Sequence, residues 1–389
     1  MVLARGTDSD LLDRSGDLKG DLVAFARGSR FSKAFRKEVT ERFGRIVVAD
    51  EDELIDFMDW FVLQYRLPGG RTVVEEFVAA RTDLPDAERR LLLGWRDVVE
   101  GVFEIGRRDG PALLLFNLID ELTYRVRSNV GPSVFGSMPR GHFMVARLVP
   151  IGGEWMLSGA QHLFRESARE AMLETAAEMP LKHPELVFRN PEKLARGWDL
   201  QRWERERFIE WFGTDLVVLD GTELADRFNA YWQWRRCQQI VDGERREGPP
   251  QGAPIFNLPQ TLCDAETVGV VYDEEEGLTF LAEFGLIQNV FEDPRLLADR
   301  DYRRAVVGYL NDDSVSPLPF RRLARRDPVK ASEVFRRLLK KPNFSWGRDG
   351  EQLMRHRKPS FFARPTLPHV TPAGRAMLEA RDARAARMR

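Results

Sequence analysis

The apolar residues of this chain change their spacing twice, and no other feature limits the fold so strongly. Over roughly the first hundred residues they recur every three to four positions. Phe31, Ala34, Phe35, Val39 and Phe43 share one face, with Gly44 as a stop. Asp50 with Glu53, and Thr72 with Glu75, have the spacing of capping boxes, in which side-chain oxygens answer the free N–H groups of a first turn. The helix after Asp50 is expected to bury Leu54, Phe57, Met58, Phe61 and Tyr65 and to end at Pro68-Gly69-Gly70. A fourth helix is expected over Asp86–Val99, with Leu91, Leu92, Trp95, Val98 and Val99 on one side.

Between Gly101 and Ser158 the period falls to two. Leu122, Tyr124 and Val126 alternate with Thr123, Arg125 and Arg127, which gives a strand one apolar and one polar face. Val102–Ile105, Ala112–Phe116, His142–Val149 and Glu154–Leu157 read as further strands, with turns at Asp109-Gly110 and Gly152-Gly153. Five short strands in this span suggest a small antiparallel β-barrel of the OB or SH3-like kind, about 101–158. Gly131–Gly141 reads as a mobile loop of that barrel.

The helical period then returns. Ala160–Glu178 is expected to be helical, and Asn190-Pro191 supplies a cap and a first-turn proline for a helix ending at Gly213. Leu216–Leu219 reads as a strand, Glu223–Ile240 as a helix, and Val268–Tyr272 with Leu278–Leu281 as a hairpin. Asp327-Pro328 opens a helix to Lys341 that buries Ala331, Val334, Phe335, Leu338 and Leu339; prolines from Pro359 to Pro372 argue against regular structure there. The expected fold class is α+β and multidomain, mainly helical. Its parts are a helical region 1–100, the barrel 101–159, a helical region 160–242, a linker 243–254, a basic α/β domain 255–358 and a proline-rich basic tail 359–389.

The 389 residues are 43% apolar and 31% charged, a globular composition. No uncharged apolar run approaches the roughly 20 residues of a membrane helix, and the start MVLARGTDSD has no basic flank leading into an apolar stretch, so a cytoplasmic protein with no membrane partner is expected. The net charge is only −2, yet Arg295–Arg389 holds 23 basic and 10 acidic residues. Arg321–Lys341 alone holds nine basic and two acidic. Such asymmetry points to an anionic partner: RNA, DNA or a nucleoprotein, contacted by Arg321, Arg322, Arg325, Arg326, Lys330, Arg337, Lys340 and Lys341. Phe320, Phe335, Phe344, Trp346, Phe361 and Phe362 lie nearby in sequence, and flat side chains beside cations suit single strands. The competing account makes the aromatics core and the arginines a solvated face, with Phe335 already inside an apolar stripe. Arginine outnumbers lysine 50 to 9, which composition alone also explains.

Motifs for chemistry are missing. There is no phosphate-binding G-x-x-x-x-G-K-[ST] loop and no G-x-S-x-G elbow; His142, His162, His183, His356 and His369 are scattered; and Cys237 and Cys263 have no metal-ligand spacing. No catalytic residue, metal or cofactor is assigned. The acidic groups Asp50, Glu51, Asp52, Glu53, Asp56 and Asp59, and Asp312-Asp313, read first as helix caps and solvated turns. The functional expectation is a non-catalytic binding protein. A protein-interaction scaffold and a carboxylate- or metal-dependent phosphoester hydrolase are the alternatives.

DWFVLQYRLPGGRTVVEEFV (Asp59–Val78), LLLGWRDVVEGVFEI (Leu91–Ile105) and GHFMVARLVPIGGEWMLSG (Gly141–Gly159) together resemble a group of uncharacterised bacterial proteins, several of which carry a zinc-binding SEC-C motif. The resemblance covers roughly 59–159, and its residues look structural: Trp60 and Trp95 on helix faces, Gly141 and Gly152-Gly153 in turns. With only two cysteines and no CxC, this chain lacks the donors for that zinc site.

Overall fold

A computed structural model describes residues 4–44, 50–238, 240–241, 244–245, 258–376 and 378–379. The protein is α+β and divides into two compact units, one made of 1–194 with 371–389 and the other of 195–370. Most of the expected linker 243–254 and the basic end 381–389 lie outside the described residues.

The first unit opens with α1 (Ala4–Ala26), α2 (Ser32–Phe43), α3 (Glu51–Leu63), α4 (Val73–Ala80) and α5 (Asp86–Gly94). Both expected capping boxes are formed: Asp50 accepts from Glu53 N, Thr72 accepts from Glu75 N, and each glutamate reaches back to the cap N–H. Leu18 and Leu22 of α1, Phe61 of α3, Val74 and Phe77 of α4, Leu92 of α5 and Trp95 make one core. Helix α5 ends earlier than its apolar period suggested, because Val99 already starts a strand.

Five strands follow: β1 (Val99–Asp109), β2 (Ala112–Asn117), β3 (Thr123–Arg127), β4 (Phe143–Ile151) and β5 (Glu154–Phe164). They pair in the order β1-β2-β3-β5-β4, and β4 pairs back onto β1, so the order closes on itself. The sheet is mixed rather than antiparallel throughout: β3 and β5 run parallel through Val126↔Trp155 and Arg127↔Met156. Phe103, Leu115, Tyr124, Val126, Met144 and Leu148 fill the interior. Phe135 and Met138 join them, so Gly131–Gly141 is a packed segment with a 3₁₀ turn at Pro132–Ser137 and not the loose loop expected. The apolar pair within a glycine-rich run is what anchors it.

Strand β5 runs seven residues past the expected Leu157, so the next helix, α6 (Arg169–Lys182), starts later than Ala160. Helix α7 (Pro191–Phe212) is capped by Asn190, whose side chain accepts from Glu192 N at 2.9 Å.

The second unit contains most of α7, then β6 (Leu216–Asp220), α8 (Gly221–Gln238), β7 (Ile240–Val241), β8 (Glu244–Arg245), α9 (Gln260–Cys263), β9 (Thr267–Asp273) and β10 (Gly277–Ala282). Helices α10 (Phe284–Glu292), α11 (Arg300–Asn311), α12 (Leu318–Arg326), α13 (Pro328–Leu339), α14 (Trp346–Arg357) and α15 (Pro359–Ala363) complete it. The last is a short helix within the proline-bearing stretch; Pro359 stands at its first position, where no N–H is needed. The three-stranded sheet β10-β9-β6 is antiparallel and covered on both faces. Val268, Val270 and Tyr272 pack with Phe208, Phe228 and Tyr231, while Val271 packs with Phe284, Phe320 and Phe335. Gly269 is needed at the centre of β9: a Cβ there would stand 2.7 Å from the Phe284 ring.

The expected basic domain 255–358 is formally neutral, with 17 basic and 17 acidic residues. Its positive charge is segregated. From Leu318 to Lys358, spanning α12 to α14, there are 13 basic residues against four acidic.

Candidate functional site

The eight cations singled out from sequence fall into two groups. Arg322, on α12, is held inside the second unit: Nη1 and Nη2 donate to the two oxygens of Asp215 at 2.9 and 2.7 Å, and Asp273 stands 3.6 Å away. The Arg322 guanidinium, with Arg205 adding to it, holds the Asp215 carboxyl down at about 2 despite partial burial. Arg321 donates to Glu351 at 2.8 Å and lies over Phe361 and Phe362. Arg337 donates to Glu333 one turn earlier on α13. These three are spent within the unit.

Arg325, Arg326, Lys330, Lys340 and Lys341 are exposed, and no acidic side chain pairs with them among the described residues. Arg325 and Arg326 occupy the last turn of α12, where the helix dipole favours cations. Asp327 then caps α13 by accepting from Val329 N and Lys330 N, placing Lys330 in the first turn. Lys340 and Lys341 come just past the other end of α13, roughly 15 Å along the axis at 1.5 Å per residue. The free cations therefore form two patches, because Arg337 between them is paired with Glu333 and Lys341 lies beyond the helix.

The second patch borders a groove of about 610 Å³ where α13 ends and α14 begins. Lys340, Lys341, Arg348 and His356 supply its polar wall, with Leu339 and Leu353 as apolar wall. The acid in the groove, Asp349, is consumed: Arg348 Nε and Nη2 donate to it at 2.8 and 2.9 Å, and Ser345 N donates at 2.9 Å. The Arg348 hydrogen bond first, then that of Ser345 N, holds Asp349 at about 2. Lys341 also acts on Asp349 from a distance, and with Arg348 balancing that carboxylate the groove keeps a net positive charge of two from Lys340 and Lys341.

The aromatic platform does not form as an open surface. Phe320, Phe335 and Phe344 are core, and Trp346 stacks on Phe335 with centroids 5.0 Å apart. What this region presents to an anion is charge, without exposed stacking faces from those residues.

Sequence reasoning missed the best-connected polar constellation, which lies in the first unit. Asp59, in α3, is buried and accepts from Lys19 Nζ, from Ser158 Oγ at 2.7 Å and from Arg147 Nε at 3.0 Å. Arg147 Nη1 donates to Glu100 at 2.8 Å, and Nη2 donates to Gln64. Burial alone would push the Asp59 carboxyl up, but the Lys19 and Arg147 charges outweigh it and hold Asp59 ionised, below its usual range. Burial lowers the Lys19 ammonium, with Asp59 opposing. Gly159 makes the approach feasible. Its φ is +68°, and a Cβ there would stand 2.6 Å from an oxygen of Asp56, which accepts from Ala160 N at 2.8 Å. Every partner of Asp59 is satisfied, so the constellation clamps α1 and α3 to β4 and β5. The signal for it was an aspartate on an apolar helix face, read there as part of a solvated acidic cluster.

Among the described residues no three His, Cys, Asp or Glu side chains gather as a metal-holding group, and no helix is long and apolar enough to cross a membrane. The architecture defines an α+β protein with a closed five-stranded sheet in one unit and a helix-covered three-stranded sheet in the other. Residues 21–202 match the model of a family of unknown function, DUF7986. No curated protein and no solved structure matches the chain. The matched stretch includes Asp59, Gln64, Glu100, Arg147 and Ser158 and ends well before the cations of α12 and α13.

Proposed function

We propose that this protein is a non-catalytic binding protein whose partner is nucleic acid, contacted through phosphates by Arg325, Arg326, Lys330, Lys340 and Lys341. One observation carries the reading: among the described residues five cations in two patches, at the junction of α12 with α13 and just past the end of α13, stand exposed with no acidic partner, while Arg321, Arg322 and Arg337 are tied into ion pairs and Arg336 donates to the backbone carbonyl of Phe344. An unpaired surface cation gains little from its own fold, whereas releasing counterions from a polyanion gives each one a favourable contribution. Because Phe320, Phe335 and Phe344 are buried, Trp346 stacks on Phe335, and Phe361 and Phe362 lie under Arg321, the contacts are to backbone phosphates, and binding is tolerant of sequence. The resemblance of 59–159 to uncharacterised bacterial proteins, some of which carry a SEC-C motif, adds no residue to this site.

The test is binding of mixed-sequence RNA and DNA at 50 mM salt, followed across a salt series. Five phosphate contacts give a slope of log affinity against log salt of about −3.5 for single strands and about −4.5 for duplex DNA. No binding to either nucleic acid at low salt contradicts the reading.

A further inference from the structure

Lys340 has φ +54° and ψ +39°, the left-handed conformation, directly after α13. Glycine is the usual occupant of this position because a Cβ there is strained, so a lysine costs stability relative to glycine. Its backbone N–H and that of Lys341 both donate to Arg336 O, which closes the helix whatever the side chain is. The side chain is therefore not needed for the cap, yet it borders the groove beside Lys341. Strained residues kept at a cleft are a recurrent mark of function.

Resting on the nucleic-acid reading above, we infer that this groove is a phosphomonoester site, which takes a nucleotide bearing a terminal phosphate, either free or at the end of a strand. Charge selects the monoester. A terminal phosphate carries close to two negative charges at neutral pH, whereas an internal diester carries one. Two unpaired ammonium groups, Lys340 and Lys341, balance the dianion once Arg348 has neutralised Asp349. The first turn of α14, which holds Arg348 and Asp349, adds the positive end of a helix dipole. Leu339 and Leu353 offer apolar contact to the rest of the nucleotide, and about 610 Å³ lies within the range of small-ligand sites.

The experiment compares one oligonucleotide in three forms, 5′-phosphorylated, 3′-phosphorylated and unphosphorylated, with AMP and inorganic phosphate as competitors, on the full chain. At least tenfold tighter binding of one phosphorylated form is expected, abolished by Lys340→Gly or Lys341→Gln. Competition by AMP at micromolar concentration would identify free nucleotide as the source; competition only at millimolar concentration would identify the strand end. Lys340→Gly should also raise Tm by about 2 °C through relief of strain, which separates lost binding from lost folding. Lys340→Ala should lose the preference with no rise in Tm. Equal affinity for all three forms overturns this inference while leaving the broader reading intact; no binding of any form overturns both.

Discussion

Arg147 Nε donates to Asp59 Oδ2 across 3.0 Å, with 7% of the arginine side chain and 2% of the aspartate side chain exposed. The two residues are 88 positions apart and join α3 to β4. Removing one partner strands the other in a low-dielectric interior, which costs about 3–5 kcal/mol. Asp59→Ala should therefore lose about that much in urea denaturation. A loss below about 1 kcal/mol would show that the network is not the clamp described.

The pH dependence follows from Asp59 together with Asp215, the carboxylate held by Arg322 and Arg205 in the second unit. Asp215 titrates near 2 in the fold against 3.8 for a free side chain, and Asp59 is also depressed. A lowered folded pKa adds stability that is fully present above the unfolded value and is lost as pH falls through the folded one. Stability should thus decline between about pH 4 and pH 2. Asp215→Asn should be less stable at neutral pH and decline less over that window. Parallel acid-denaturation curves for the two proteins would refute the assignment.

Gly159 lies in the left-handed region with Asp56 against it. Gly159→Ala should cost about 1–3 kcal/mol from backbone strain, with further loss from displacing Asp56. A Tm unchanged from that of the parent protein would mean that the segment relaxes without penalty.

Arg322 and Arg325 stand three residues apart on α12 and should behave oppositely. Arg322→Met breaks the paired hydrogen bonds to Asp215 and should cost about 1–3 kcal/mol of stability, with little effect on nucleic-acid affinity. Arg325→Ala should change stability by less than about 0.5 kcal/mol and weaken binding. Urea denaturation and filter binding on both variants decide the matter; a reversed pattern contradicts the division into paired and free cations.

Local features were legible in the sequence because their physics is local. The capping boxes at Asp50 and Thr72, the alternation of Tyr124 and Val126, and the Asp327-Pro328 start of α13 all depend on neighbours within a few residues. What composition and spacing could not show is pairing at a distance. Arg322 looked like Arg325 until Asp215, 107 positions away, was placed beside it. Asp59 read as one of a solvated acidic cluster because Lys19, Arg147 and Ser158 come from three other elements. The parallel β3–β5 pairing rests on two residue pairs, too few to leave a pattern in either strand. Five of the eight cations stand free and three do not: Arg322 and Arg321 meet carboxylates 107 and 30 positions away, which only the tertiary arrangement decides, while Arg337 meets Glu333 one turn earlier on its own helix.

The most direct test is the salt dependence of nucleic-acid binding by the parent protein and by a variant with Arg325, Arg326, Lys330, Lys340 and Lys341 all changed to glutamine. The account predicts affinity falling by about two orders of magnitude between 50 and 200 mM salt for the parent, and weak, nearly salt-independent binding for the variant. Identical affinity and slope in the two proteins would contradict it.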